Sequence, residues 1–329
     1  MYVKVKFFVL ILASLLSHTV VSAAKDRPIR VAVPAPAAVY LPLWVAKDAG
    51  FFKKHQLDVE LVYVGSSPVA LAALLGDEID IQSGTRVAVT AYLQGLRDVT
   101  IFAALDYALP FAIYARPPIK DVMELRGKRF GVTRIGGDLD FATRYYLNLV
   151  GLNPKDVNFF QVGSVPDIVN ALRRDSIDAA TVSIPFNHVA KKEGFNELAD
   201  LTRISGLRYA LTSFSAKKKL LIVEKERMDG WVKAVIEAIR YTKTFRDESL
   251  KILARYTRIN DPVILRAAYG QYVDLWPKIP EVKPKDLNLV LEQLGQTNPQ
   301  ALKINPADLI YGSLIENLVQ SGFIEQVYR

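Results

Sequence analysis

A phrase that occurs twice is the feature of this 329-residue sequence that most restricts its fold. Residues 58–80 align with residues 156–178 without a gap, and 11 of the 23 aligned positions are identical. Both copies contain Gly-Ser-x-Pro, followed at a fixed distance by Asp-x-Ile-Asp. A solenoid needs at least about three copies at a spacing of roughly 20 to 50 residues. Two copies that lie 98 residues apart therefore predict two related α/β units.

Strand and helix patterns alternate around both copies. The short β-rich runs lie at residues 29–33, 59–64, 79–82, 99–104, 129–133, 159–162 and 179–183. Helical stretches separate these runs, and alternation at this spacing predicts mainly parallel sheets flanked by helices. From about Met228 onward, helical patterns broken by prolines replace the strands. We therefore predict an α/β protein of two lobes with a helical C-terminal cover.

The first 24 residues have the layout of a secretory signal peptide. Lys4 and Lys6 precede an apolar run over residues 7–16, and small residues follow at positions 22–24. The apolar run is short for a membrane span, although an uncleaved anchor is the alternative. The absence of cysteine removes lipid attachment at a signal-peptide cysteine. We therefore expect a cleaved, soluble monomer in a periplasm.

Composition narrows the possible functions. Without cysteine, the chain has no disulfides, thiolate metal sites or thiol nucleophiles. The formal charge of +8 is scattered and forms no basic stripe, so no nucleic-acid partner is expected. His55 and His188 are the histidines that follow the signal peptide, and neither belongs to a metal-binding pattern. We therefore expect no cofactor, no metal and no catalytic residue.

The two aspartates of each copy, Asp77 with Asp80 and Asp175 with Asp178, precede predicted strands. They therefore belong to the end of each sheet that lies away from any cleft. Turn and capping roles explain such residues better than acid/base catalysis does.

The carboxyl ends of the strands supply the candidate ligand-binding residues, because ligands of parallel α/β sheets bind there. Two lobes whose strand ends face one another form a cleft between them. In the first lobe the candidates are Tyr40, Leu41, Trp44, Gly65, Ser66, Ser67, Ser83, Gly84, Thr85, Arg86, Asp106 and Tyr107. In the second lobe they are Arg134, Gly136, Gly137, Asp138, Pro185, Phe186 and Asn187.

These candidates leave the charge of the ligand open. Ser66 and Ser67 lie at a predicted helix N-terminus, which suits an anionic oxygen, with a plain helix cap as the alternative. Arg134 beside two glycines suits a carboxylate or sulfonate. Arg86 is a further cationic candidate, with a solvent-facing position as its alternative. Asp138 either caps the next helix or selects an amine or amide.

Four stretches together resemble a known family. They are VYLPLWVAKDAGFFKKHQLDVELV, LAALLGDEIDIQSG, MELRGKRFGVTRIGG and DAATVSIPFNHVAKKEGFNELADL, in this order along nearly the whole mature chain. In these stretches the chain is similar to the extracytoplasmic solute-binding proteins of ABC importers for nitrate, sulfonates, taurine and thiamine precursors. The resemblance implies the two-lobed periplasmic-binding-protein fold of type II, with the ligand in the cleft between the lobes.

The resemblance also implies a function and partners. We expect a small organic anion, of the sulfonate or carboxylate type, to be delivered to ABC permease subunits at the inner membrane. The alternatives are a binder of a thiamine-pyrimidine-like precursor, a pyrimidine-synthase-like enzyme on the same fold, and a sensor. The implied order is a signal peptide (1–24), lobe 1 (25–112), lobe 2 (113–210) and a helical return to lobe 1 (211–329). The implied crossing segments lie at residues 111–116 and 207–215.

Overall fold

The computed structural model of the protein describes residues 27–329, which contain two five-stranded sheets. The predicted signal peptide lies outside these residues. The first sheet has the strand order β2-β1-β3-β10-β4. Its strands are β1 (Ile29–Val33), β2 (Val59–Tyr63), β3 (Ile81–Ser83), β4 (Val99–Ala104) and β10 (Ser213–Lys217).

The second sheet repeats this arrangement, with the order β7-β6-β8-β5-β9. Its strands are β5 (Phe111–Ala115), β6 (Arg129–Val132), β7 (Asn158–Gln161), β8 (Ala179–Ser183) and β9 (Asn196–Asp200). In each sheet the strand that follows the passage from the other lobe, β10 or β5, runs antiparallel to its neighbours. The prediction of a two-lobed α/β fold with mainly parallel sheets is therefore confirmed.

Helices flank both sheets. Those before β10 are α1 (Leu41–Asp48), α2 (Phe51–Lys54), α3 (Ser67–Leu75), α4 (Thr85–Leu93), α5 (Asp138–Leu149), α6 (Val165–Arg173) and α7 (Phe186–Lys192). Those after β10 are α8 (Lys218–Val223), α9 (Lys225–Thr244), α10 (Arg246–Thr257), α11 (Pro262–Tyr272), α12 (Asn288–Gly295), α13 (Ser313–Gln320) and α14 (Phe323–Tyr328). None of the helices within residues 27–329 is long and apolar enough to cross a membrane.

The C-terminal helices cover one face of the first sheet. Trp231 of α9 is fully buried, and its ring packs edge-on against Phe102 of β4 and Phe214 of β10. On its other side the ring lies against Phe52 of α2. A buried tryptophan removes a large apolar area from water, so α9 is held firmly on this sheet. The apolar residues of α9, α10, α11, α13 and α14 thus share one packed core with β1 and α1, whereas those of α12 belong to the other core.

The chain passes between the sheets over residues 105–110 and again over residues 201–212. Residues 111–116, predicted as a crossing segment, instead contain β5, which pairs with both β8 and β9. All five residues of β5 are buried because the strand is covered on both faces and both edges. An unbroken apolar run such as FAIYA is typical of such a strand. The second predicted crossing, 207–215, overlaps the observed passage and runs into β10.

The sequence repeat is also a structural repeat. Asp80 accepts a hydrogen bond from the backbone N–H of Arg30 at 2.8 Å, and Asp178 accepts one from that of Arg129 at 2.9 Å. Each bond joins an aspartate before a strand to the start of the neighbouring parallel strand. Asp77 and Asp175 both adopt the left-handed conformation with φ of 58°. The Asp-x-Ile-Asp pattern therefore forms the same turn at the end of each sheet away from the cleft.

Candidate ligand-binding cleft

A cavity of about 40 Å³ lies between the lobes, at the carboxyl ends of the parallel strands. Five of the predicted residues line it: Tyr40, Gly65, Ser66, Ser67 and Asp138. The first four belong to the first lobe and Asp138 begins α5 of the second lobe. Strand ends and helix starts from both lobes therefore meet at one small space.

A second set of predicted residues supports this lining from behind. The Tyr40 hydroxyl lies 3.0 Å from Ser83 Oγ. Thr85 Oγ1 donates to Ser213 Oγ at 2.7 Å. Asp106 accepts hydrogen bonds from the backbone N–H and the hydroxyl of Thr212, at 2.9 and 3.2 Å. Ser83, Thr85 and Asp106 therefore fix the walls of the cavity through buried polar contacts.

The two lobes also touch directly beside the cavity. Arg86 of α4 donates from Nη1 to the backbone carbonyl oxygen of Gly136, 2.8 Å away in the other lobe. Gly84 adopts a φ of +127°, and a Cβ atom there would lie 2.7 Å from Ser67 Cβ and 3.4 Å from Asp138 Oδ2. A Cβ atom at Gly137 would lie 3.4 Å from Pro68 Cδ. Glycine at positions 84 and 137 thus permits the close approach of the lobes.

Other predicted residues lie away from the cavity. The Arg134 side chain is exposed and is not part of the cavity wall. Trp44 is buried and stacks on Tyr256, with ring centroids 4.8 Å apart. Tyr107 donates its hydroxyl hydrogen to the carbonyl oxygen of Glu281 and lies under the Arg208 guanidinium. These three side chains are therefore committed to contacts outside the cavity or to solvent.

The remaining predicted residues belong to the surrounding structure. Leu41 is fully buried in the core of the first lobe. Pro185 follows a cis peptide bond, and the carbonyl oxygen before it, that of Ile184, accepts from the backbone N–H of Ala38 across the lobes at 2.8 Å. Phe186 is buried in the core that contains the second sheet. Asn187 donates to Gln271 Oε1 of α11 at 3.3 Å, so the start of α7 joins the two lobes.

Several residues that line the cavity were not among the predicted ones. The polar ones are Thr133, Ser183, Thr212 and Tyr272. Thr133 and Ser183 end or follow strands of the second sheet, so the rule of strand ends was sufficient to find them. Thr212 lies in the second passage between the sheets, which had been predicted there. Tyr272 ends α11, far along the sequence, and no sequence signal connects it with the strand ends.

Three buried polar atoms at the cavity have no hydrogen-bond partner among residues 27–329. They are Ser67 Oγ, Ser183 Oγ and Asp138 Oδ1. Ser67 and Ser183 are each only 2% exposed. Buried polar groups are nearly always hydrogen-bonded, because an unpaired one costs free energy. Unpaired acceptors and hydroxyls from both lobes around one space therefore indicate a place for a polar ligand.

Burial also changes the acidity of the carboxyl groups at the cavity. Desolvation raises the pKa of Asp138 to about 7, although the adjacent Ser67 hydroxyl and the Arg86 guanidinium act in the opposite direction. Desolvation likewise raises the pKa of Asp106 to about 7, against two hydrogen bonds from Thr212. At pH 7 these two carboxyl groups are therefore close to the pH at which they gain or lose a proton, and a neighbouring charge decides which form each takes.

The sequence matches the model of a known family, described as the NMT1-like family, over residues 22–256. The protein belongs to the NMT1-like family. YtlA of Bacillus subtilis, which is named as a binding protein, is 27% identical over 221 residues. That alignment covers 65% of this chain and 66% of YtlA, which is just under two thirds of the relative's length.

Solved structures show the same fold as this NMT1-like protein. The alkanesulfonate-binding protein SsuA of Xanthomonas axonopodis, bound to MOPS, superimposes with a TM-score of 0.74 at 16% identity. The match covers 87% of this chain and 98% of SsuA. The periplasmic nitrate-binding protein NrtA of Synechocystis superimposes with a TM-score of 0.72 at 16% identity, covering 89% and 88% of the two chains. The fold is therefore that of the periplasmic binding proteins.

Proposed function

We propose that this NMT1-like protein is the extracytoplasmic solute-binding component of an ABC importer. In this role the two lobes close on one small solute and present the closed form to permease subunits at the inner membrane. One observation carries the proposal: unpaired polar atoms of both lobes, Ser67 Oγ, Ser183 Oγ and Asp138 Oδ1, surround one cavity between the lobes. The names of YtlA, SsuA and NrtA, all binding proteins, support it.

Contacts from both sides explain how binding drives closure. A solute that touched one lobe alone would have equal affinity for open and closed forms and would leave their ratio unchanged. A solute that reaches Ser67 of the first lobe and Ser183 of the second favours the closed form by the extra contacts. The permease can then distinguish loaded from unloaded protein by its shape.

The two histidines of the described residues lie away from the cavity. His55 Nε2 lies 3.0 Å from Glu237 Oε2, on the helical cover of the first lobe. His188 Nε2 lies 2.7 Å from Gln271 Oε1, where α7 meets α11. Neither histidine lines the cavity, and within residues 27–329 no three His, Cys, Asp or Glu side chains come together in a metal-binding arrangement. The pyrimidine-synthase-like alternative therefore gains no support from these side chains.

Two solved structures with the same fold support the organic anion that was predicted from the sequence. SsuA is named for alkanesulfonates and NrtA for nitrate, and both share the fold. In such a binding mode the anion would meet the backbone N–H groups at the starts of α3 and α4, where helix dipoles favour negative charge. Arg134, the cation predicted to hold it, points to solvent. The anion therefore remains one candidate class beside ligands that carry N–H donors.

The proposed location and monomeric state can be tested by cell fractionation. The expected result is a mature protein that starts near residue 24 or 25, leaves the cell with the periplasmic fraction, and elutes as a monomer. Retention in the membrane after high salt and carbonate would contradict the proposal.

The binding role can be tested by thermal shift and small-angle scattering with a panel of small anions, amines and aminopyrimidines. A ligand at about 100 times its dissociation constant should stabilise the protein by roughly 2.7 kcal/mol. The same ligand should reduce the radius of gyration. If no member of the panel changed either quantity, the solute-binding proposal would fail.

A further inference from the structure

We propose that the cleft selects a solute that presents a positively charged, hydrogen-bond-donating nitrogen, such as an amine or amidine, to the carboxyl group of Asp138. This inference rests on the proposed solute-binding function and specifies its ligand class. It starts from the position of Asp138, which is the first residue of α5 in the second lobe and reaches across to the first.

The Asp138 carboxyl occupies the place that an anionic solute would need. A Cβ atom at Gly84 would lie 3.4 Å from Asp138 Oδ2 and 2.7 Å from Ser67 Cβ, so the carboxyl and the serine side chain meet there. Gly84 precedes α4 and Ser67 begins α3. Helix N-termini carry partial positive charge and favour anions. The chain thus supplies its own carboxylate to these helix starts when the lobes are closed.

The remaining charges leave little to hold a second anion. Arg86, the cation next to the cavity, already donates to the carbonyl oxygen of Gly136. The other ionisable groups that interact with Asp138 are acidic or phenolic, namely Asp106 behind the wall, Tyr40 and Tyr209, and Tyr272 lines the same cavity. A buried anion beside carboxyl groups is strongly disfavoured unless a cation balances it. A cationic nitrogen would instead be attracted to these carboxyl groups.

The unpaired atoms have the chemistry to receive N–H groups. Asp138 Oδ1 is an acceptor with no partner within residues 27–329, and the hydroxyls of Ser67 and Ser183 can each accept as well as donate. An ammonium has three N–H donors and an amidinium has four, so one such group can satisfy acceptors of both lobes. Hydrogen bonds between a charged donor and a carboxylate are also about twice as strong as neutral ones.

The raised pKa of Asp138 adds a dependence on pH. A cation binds the ionised carboxylate better than the neutral acid, so affinity should increase as the pH rises through about 7. Asp106, whose pKa is raised to about 7 as well, acts in the same direction. Burial raises the pKa values of Tyr40 and Tyr209, so these facing tyrosines do not reverse the trend.

The experiment uses three probes of nearly equal shape: acetamidinium, acetamide and acetate, at equal ionic strength. Calorimetry and thermal shift on the mature protein should show binding of acetamidinium, weaker binding of acetamide and none of acetate. Acetamidinium should bind more tightly at pH 8.5 than at pH 5.5. Asp138→Asn should weaken acetamidinium binding about tenfold or more, the loss expected when a charge-assisted bond becomes neutral.

A matched control removes a carboxyl from the same lobe without touching the cavity. Asp167 is exposed at the start of α6 and is not part of the cavity wall. Asp167→Asn should bind acetamidinium like the parent. Asp138→Glu keeps the charge and should keep the preference for acetamidinium over acetate. If Asp138→Asn does not fold, the preference of the parent and of Asp138→Glu decides the question.

Two outcomes would overturn the inference. Binding of acetate without binding of acetamidinium would reverse the ligand class and leave the solute-binding function standing. Equal affinity of the parent and Asp138→Asn for acetamidinium would show that Asp138 does not contact the solute. A protein that bound none of the three probes would also refute the inference, and the wider panel with scattering would then decide separately whether any solute closes the lobes.

Discussion

The two copies of the repeat agree at one end of the molecule and differ at the other. At the end away from the cleft, Asp80 and Asp178 make the same bond to the neighbouring strand, at 2.8 and 2.9 Å. Each also forms an ion pair with an arginine, Arg27 in the first lobe and Arg129 in the second. This end of each copy is therefore a structural joint that both lobes need in the same form.

At the cleft the same Gly-Ser-x-Pro pattern has two roles. In the second copy Ser164 caps α6, accepting from the backbone N–H of Asp167 and donating to its carboxylate. In the first copy position 69 is valine where the second copy has Asp167, and Ser66 makes no capping bond with its side chain. The serines of the first copy consequently face the cavity. The comparison teaches that the shared pattern forms the turn, while the residue at position 69 or 167 decides whether the serine caps the helix or faces the cavity.

The largest expected effect comes from Gly84, whose backbone lies against Ser67 of its own lobe and Asp138 of the other lobe. Gly84→Ala should destabilise the protein by about 2 kcal/mol or more, because its Cβ atom would lie 2.7 Å from Ser67 Cβ at a φ of +127°. Ligand affinity should fall at least tenfold, since the same atom obstructs Asp138. Gly95→Ala is the control: its φ is +90°, but nothing lies within 4 Å of the new atom. Gly95→Ala should lose stability, measured by denaturant unfolding, and keep the ligand affinity of the parent, measured by calorimetry.

The joint at the other end should affect stability and leave binding unchanged. Asp80→Asn or Asp178→Asn should each lower the free energy of unfolding by about 1 to 3 kcal/mol, because each removes charge from a bonded carboxylate. Arg129 lowers the pKa of Asp178, so this contribution is present above the unfolded pKa of about 4. It should disappear as the pH falls below that value. A loss of affinity with unchanged stability would place these aspartates in the binding machinery.

The cleft carboxyl should show the opposite dependence on pH. Since burial raises the pKa of Asp138 to about 7, the folded protein holds a proton that the unfolded chain releases above about pH 4. The contribution of Asp138 to stability therefore declines as the pH rises from about 4 to about 7 and stays constant above that. Asp138→Asn should be more stable than the parent by about 1 kcal/mol at pH 8, and this advantage should be smaller at pH 5. Thermal unfolding at both pH values measures this, and a variant that is less stable at pH 8 would count against the burial of that charge.

The smallest expected effects separate the two serine roles. Ser164→Ala should cost about 1 kcal/mol of stability through the lost cap and leave affinity unchanged. Ser67→Ala should change stability little, because its hydroxyl makes no hydrogen bond of normal geometry within residues 27–329, and it should weaken binding several-fold. Chemical unfolding and calorimetry on both variants provide the comparison. Identical behaviour of the two variants would show that the copies do not differ in function.

The fold was predictable from the sequence because its signals are local and repeated. Strand alternation, the repeat and the helical C-terminal patterns all arise from short-range spacing, and the structure follows them. The strands β9 and β10 were not predicted, and residues 111–116, predicted as a crossing segment, contain the buried strand β5. The ends of parallel strands also located Tyr40, Gly65, Ser66, Ser67 and Asp138 at the cavity.

The site was predictable only in part because side-chain direction is a tertiary property. Arg134 and Asp138 are four residues apart near one helix start, yet the first points to solvent and the second into the cleft. Nothing in their spacing distinguishes them. Tyr272 reaches the cavity because α11 packs against residues 38–40, just before α1, a contact between distant parts of the chain. Such contacts follow from the packed fold and carry no pattern of their own.

The distance between the lobes tests the central claim, that two like lobes close on a solute chosen by Asp138, most directly. The sequence contains no cysteine, so Glu60→Cys with Asn158→Cys gives two unique spin-label sites. Both positions are exposed, and they are equivalent in the two copies of the repeat. Electron–electron distance measurements should show a shorter, narrower distribution with acetamidinium and no change with acetate. A spin-label distance that did not change with acetamidinium, or that became shorter with acetate instead, would contradict the account.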